Sequence, residues 1–115
     1  MALNPENDHI YMTWTQFDAY DSDKPEDKSH ILFSKTEDGG LNWSNPVTIS
    51  SVGGDCKDND KTAEGAVPAI GPNGEIFVTW SRNDSLWFTR SVDDGKTWLP
   101  KETYIAEQPA GWVVD

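Results

Sequence analysis

One cysteine, Cys56, stands among 115 residues, which excludes an internal disulfide, and it has no CxxC or Cys/His company that would suggest zinc. It reads as a lone reduced thiol. Long apolar runs are missing too: no stretch approaches the about 18 residues of a membrane-crossing helix, and no charged-then-apolar leader is present. The chain as it stands is expected neither to span a membrane nor to carry a signal peptide. Basic residues are scarce, nine against twenty acidic, for a net charge of −11. Such a surface repels phosphate backbones, so nucleic acid and anionic membranes are excluded as partners, while cations and neutral or polyhydroxylated ligands remain open.

What the chain does have is six Trp, four Phe and three Tyr, with Gly and Pro recurring every few residues. This is the composition of short strands and tight turns. The length fits one domain, so any repeats share one core. A repeat is present. "HIYMTWTQ" (9–16) aligns with "EIFVTWSR" (75–82) at an offset of 66, pairing Ile10 with Ile76, Thr13 with Thr79 and Trp14 with Trp80. "ILFSKTEDGGLNW" (31–43) aligns with "LWFTRSVDDGKTW" (86–98) at an offset of 55, pairing Phe33 with Phe88, Asp38 with Asp93, Gly40 with Gly95 and Trp43 with Trp98. The difference places an insertion in the first repeat, around "FDAYDSDKPEDKS".

The second repeat reads as a four-stranded antiparallel meander: "AVPAI", a "GPNG" turn, "EIFVTWS", a short turn, "SLWFTRS", the Asp-Gly turn and "ETYIA". Apolar residues occupy adjacent positions at Ile76, Phe77 and Val78 and again at Leu86, Trp87 and Phe88. Both faces of this sheet therefore seek burial, as in a propeller blade packed between two others. A two-sheet sandwich, the alternative, would leave one face wetter.

In "SVDDGKTW" each residue has a turn-building task. Asp93 accepts backbone N–H bonds within its loop, Gly95 supplies a positive φ, Thr97 adds a hydroxyl and Trp98 buries a ring. Asp38, Gly40 and Trp43 keep those tasks in the first copy, with Asn42 in place of the threonine. A calcium loop of EF-hand type is the rival, but counting from Asp93 puts Trp98 at position 6 and Tyr104 at position 12, where glycine and a bidentate glutamate belong. The turn reads as structural.

These turns resemble the Asp-box of the bacterial neuraminidase (BNR) repeat, Ser-x-Asp-x-Gly-x-Thr-Trp. Ser91, Asp93, Gly95, Thr97 and Trp98 match it fully, and Thr36, Asp38, Gly40, Asn42 and Trp43 match with Thr for Ser and Asn for Thr. "GDCKDNDKTAEGAVPAIGPNGEIFVTW" and the closing "GWVVD" also resemble segments of bacterial sialidase-like glycoside hydrolases. The resemblance implies an all-β fold, two four-stranded antiparallel blades of a six-bladed sialidase-type β-propeller, and a secreted or periplasmic protein. The expected division is a first blade over about 1–50 lacking most of its first strand, an inter-blade loop over 51–65, a second blade over 66–106, and the start of a next blade or a tail over 107–115.

Two blades cannot close a propeller, and an open pair exposes large apolar faces. The chain is expected to be a fragment of a longer protein or a homo-oligomer; three copies in a ring supply six blades, and a domain-swapped dimer is the competitor. Meander topology puts the Asp-boxes at the end opposite the long acidic loops, 17–29 and 51–65. The candidate ligand-face residues are therefore Asp21, Asp23, Asp27, Asp55, Asp58, Asp60, Glu64 and Arg82. These loops read either as solvated acid or as carboxylates serving a cation or a sugar, since glycoside hydrolysis commonly uses two carboxyls about 5–10 Å apart. EF-hand order is absent, with Pro25 and Leu32 at positions 5 and 12 from Asp21, which leaves an irregular calcium site at Asp21, Asp23, Asp58 and Asp60 as the metal candidate. No other cofactor is indicated.

For a sialidase, the resemblance implies an arginine cluster, a tyrosine–glutamate nucleophile pair and an aspartate acid. Only Arg82 and Arg90 are present and no Phe-Arg-Ile-Pro stretch occurs, so no catalytic role passes to a numbered residue. The leading expectation is a portion of a sialidase-like propeller from a carbohydrate-active protein, with any catalysis requiring blades absent here. The second is a noncatalytic glycan- or protein-binding module.

Overall fold

The computed structural model describes residues 1–107, and the described chain is all-β, with no helix. Eight strands run in chain order: β1 Ala2–Leu3, β2 Ile10–Phe17, β3 Ser29–Thr36, β4 Val47–Thr48, β5 Glu64–Ile70, β6 Ile76–Arg82, β7 Ser85–Ser91 and β8 Thr103–Glu107. They form two antiparallel meanders, β1-β2-β3-β4 and β5-β6-β7-β8. The first strand of the first sheet is only two residues long, pairing with Tyr11 and Ile10. The connection between the two sheets ends at Ala63, because β5 already pairs at Glu64, with a bulge between Glu64 and Val67. Beyond Glu107, the expected next blade or tail and the "GWVVD" stretch lie outside the described residues.

Local chemistry explains the turns. Asn83 and Asp84 both take positive φ, 55° and 59°, the conformation of a two-residue hairpin turn whose twist suits the flanking strands. The connection from β4 to β5 folds back along β3: Ser29 and Gly54 exchange backbone bonds of 2.9 Å, and Ser29 Oγ accepts from Ala63 N at 3.0 Å. Cys56 is buried and free.

The two sheets pack face to face, and period-two alternation assigns the faces. Sheet one contributes Tyr11, Ile31 and Phe33, and sheet two contributes Ile76, Val78 and Trp80, all at most 2% exposed. The aligned repeats reveal an asymmetry here. Tyr11 corresponds to Phe77 and Phe33 to Phe88, both on the outer face of sheet two, whereas Ile76, Val78 and Trp80 correspond to Ile10, Met12 and Trp14, on the outer face of sheet one. The sheets therefore meet through unlike faces, as successive members of a stack do. A symmetric sandwich would join like faces.

The tightest point of this contact is the ring of Phe33. The Trp98 ring lies 4.9 Å from it at 64°, an edge-to-face pair. Gly95, at φ 89°, lies so close that an added Cβ would approach Phe33 to 2.5 Å. Gly40, at φ 95°, has nothing within 4 Å of its own added Cβ. Alanine at either site meets the left-handed penalty of roughly 1–2 kcal/mol. Gly95→Ala is expected to lose more stability than Gly40→Ala in denaturant melts, because only Gly95 also collides with a ring; equal losses would contradict this packing.

Candidate functional site

The two Asp-Gly turns that resemble the Asp-box have the same internal bonding. Ser91 Oγ donates to Asp93 Oδ1 at 2.7 Å and accepts from Gly95 N at 2.8 Å, while Thr97 N and Oγ1 donate to Asp93 at 2.9 and 2.5 Å. In the first box Thr36 Oγ1 donates to Asp38 Oδ1 at 2.8 Å and accepts from Gly40 N at 3.0 Å; Asn42 N and Nδ2 donate to Asp38 at 2.9 and 2.8 Å. The Thr97 hydroxyl and amide, with Ser91, hold Asp93 at about 2, and the amide and side chain of Asn42, with Thr36, do the same for Asp38. Both folded values lie below the unfolded value near 3.9. Their stabilisation is thus present above that value and lost as pH falls toward about 2. All carboxylate oxygens face inward to the loop's own donors, the arrangement of a fastening turn.

Asp94, the variable residue of the second box, does something sequence reasoning missed. Its positive φ of 62° turns its carboxylate toward sheet one, where Tyr11 Oη donates to it, Lys35 Nζ lies at 2.7 Å and His9 Nδ1 at 3.1 Å. His9 Nε2 is 3.3 Å from Glu37. Burial opposes ionisation of Asp94, but bonds from Lys35, Tyr11 and His9 outweigh it and hold its carboxyl below the usual range. Burial likewise opposes the charge on Lys35, and Asp94 with Glu37 overcomes that and raises its pKa. His9, Glu37 and Asp94 are the one cluster of three metal-ligating side chains among the described residues. The Lys35 ammonium already supplies the cation there, so the cluster works as a clamp between sheets. Its signal lay in the repeat: the first box has Gly39 at this position, and Phe77 replaces Tyr11 in the second.

The opposite end of both sheets carries the acidic loops. Lys57 Nζ bridges Asp21 at 3.0 Å and Asp23 at 3.1 Å, Tyr20 Oη donates to Asp58 at 3.1 Å, and Asp27 accepts from Ser22 Oγ at 2.5 Å. Asp55 accepts from Thr62 Oγ1 at 2.7 Å, and the backbone carbonyl of Asp60 accepts from Asn83 N at 2.6 Å. Asp21, Asp23, Asp58 and Asp60 thus do not gather as one ligand set; a lysine holds the first two and a tyrosine engages the third. What does converge is Glu64. Burial raises its carboxyl above the usual range, and the charges of Asp58, Asp60 and Asp55 raise it further. Glu64 also borders an open cavity of about 420 Å³ lined by Gly65, Val67, Thr79, Ser81 and Leu86.

Arg82 is engaged elsewhere. Its guanidinium lies 4.4 Å from the Trp87 ring and 3.9 Å from Glu102, and its side chain is only 12% exposed. Glu102 in turn accepts from the amides of Ser51 and Val52 at 3.0 and 3.1 Å. This pair anchors the connection between sheets. Arg90 is exposed on the outer face of β7.

Because the native state binds the Glu64 proton more tightly than the unfolded chain does, stability falls as pH rises past the unfolded value near 4.3. Glu64→Gln is expected to raise the urea midpoint at pH 7 and to leave it unchanged at pH 3.5; equal midpoints at pH 7 would contradict the assigned environment. Comparison of the chain with protein-family models and with curated proteins finds no match to either.

Proposed function

We propose that the chain is a two-blade portion of a sialidase-type Asp-box propeller from a carbohydrate-active protein. It recognises glycan at the acidic loop end and holds no complete catalytic site of its own. The observation that carries the propeller reading is the meeting of unlike faces, Phe33 of one repeat against Ile76, Val78 and Trp98 of the next. That arrangement is what a radial series of blades requires and what a two-fold sandwich lacks.

The glycan reading rests on the Asp-box resemblance together with the layout of the two ends. Turns whose polar groups are already satisfied occupy one end, and carboxylates with unused acceptor capacity occupy the other. Glu64 beside Asp58 offers two neighbouring carboxyls, a combination suited to accepting from vicinal hydroxyls. The incomplete site follows from the arginines. With Arg82 held by Trp87 and Glu102, and Arg90 on a strand face, this chain assembles no cationic cluster for an acidic sugar.

The chain is expected to be retained by glycans on an array and to release no product from sialosides or aryl glycosides. Glu64→Gln and Asp58→Asn should each weaken retention about tenfold, the effect of one lost charged hydrogen bond. Turnover by the chain alone, or retention indifferent to both substitutions, would overturn the proposal.

A further inference from the structure

Among the described residues each sheet has one face covered by the other sheet and one face uncovered, and the repeat relates the covered faces to the uncovered ones. On the outer face of sheet one, Met12 is 36% exposed where its counterpart Val78 is 0%. Trp43 is 41% exposed, whereas its counterpart Trp98 packs against Phe33. A groove of about 430 Å³ lies there, lined by Met12, Trp14, Ser34, Trp43, Asn45 and Pro46. On the outer face of sheet two, Phe88 stacks on Phe77 at 5.8 Å and Val67 is 60% exposed. Phe88 is the counterpart of Phe33, the ring that the second Asp-box grips.

From these equivalences we infer that a second copy of this chain docks head to tail, its Phe88 face seated in the Met12–Trp14–Trp43 groove of the first. The internal contact serves as the template: Gly40 and Trp43 of one copy receive Phe88 of the next as Gly95 and Trp98 receive Phe33. A contact between unlike faces is heterologous, so it does not end at a dimer but continues until a ring closes or a filament grows. This inference rests on the propeller reading, which sets closure at six blades and hence three copies.

The contact between copies differs from the internal one in a defined way. Gly39 stands where Asp94 would be, and Phe77 stands where Tyr11 would be, so the clamp of Tyr11, Lys35 and Asp94 has no counterpart between copies. The joint between copies is therefore apolar and the weaker of the two. The net charge of −11 per chain also repels like copies, and added salt screens that repulsion. Association should strengthen with ionic strength, the reverse of a contact built on ion pairs.

The test is sedimentation or light scattering of the purified chain at high micromolar concentration, with folding of each variant checked by circular dichroism. The wild-type chain is expected at about three times its 12.8 kDa monomer mass. Trp43→Arg removes the groove and Phe88→Arg removes the ring, so each variant alone should be monomeric. An equimolar mixture should form a dimer and nothing larger, because one intact groove then meets one intact ring. Should either arginine variant misfold, Trp43→Ala and Val67→Asp, at the exposed positions, carry the same comparison. A monomeric wild-type chain, a mixture that stays monomeric, or variants that all keep the wild-type mass would overturn the inference. Glycan retention is read separately: its survival without association removes head-to-tail docking alone, and association without retention removes only the carbohydrate reading.

Discussion

The phenyl ring of Phe33, held on one side by the backbone of Gly95 and at its edge by the indole of Trp98, is the contact on which the arrangement of the two sheets depends. Each participant is constrained by something local. Gly95 must be glycine both for its positive φ and for the ring above it, and Trp98 is aimed by its Nε1 bond to the Gly95 carbonyl at 3.1 Å. Ser91 and Asp93 hold the turn in the shape that receives the ring. Asp94 then reaches past the ring to Tyr11 and Lys35, tying charge to charge where the apolar contact ends. Apolar burial supplies the attraction, and the polar clamp sets the registry of one sheet against the other.

Fastening at one end leaves the other end free to vary. The Asp-box turns consume their own acceptors, whereas the loops between β2 and β3 and between β4 and β5 project from the far end of the same rigid strands. Those loops are cross-braced by Lys57, Tyr20 and the Cys56 carbonyl rather than gathered around one point. Glu64 differs because it sits at the start of β5, partly buried and near three other acids. The division between an end of self-satisfied turns and an end of long acidic loops thus follows from meander topology.

Much of the fold was legible in the residues, because its signals are local. The aligned pairs Ile10 with Ile76 and Phe33 with Phe88 register both meanders, and the Ser91 to Trp98 turn carries its own hydrogen-bond partners within eight residues. The two-residue β1 was not legible, since Ala2 and Leu3 carry no pattern of their own and pair only because β2 is there. The clamp at Asp94 joins residues more than eighty apart in sequence, and the same holds at shorter range for Arg82 with Glu102. Such pairings leave a trace only where one repeat departs from the other, as Asp94 does from Gly39. Among the candidate ligand residues, Glu64 and Asp58 come together, while Asp21 and Asp23 pair with Lys57 of the neighbouring loop, Asp27 bonds Ser22 of its own loop and Arg82 serves the connection.

The claim that the second Asp-box grips the first sheet is tested most directly by a double-mutant cycle on Phe33→Leu and Trp98→Leu, read by equilibrium urea unfolding. A coupling of about 0.5–1.5 kcal/mol is expected for an edge-to-face aromatic pair in contact. The equivalent cycle on Phe88 and Trp43, kept dilute enough for monomer, should show none, because within one chain those two residues lie on opposite outer faces. Additive losses at Phe33 and Trp98, or equal coupling in both cycles, would contradict the arrangement.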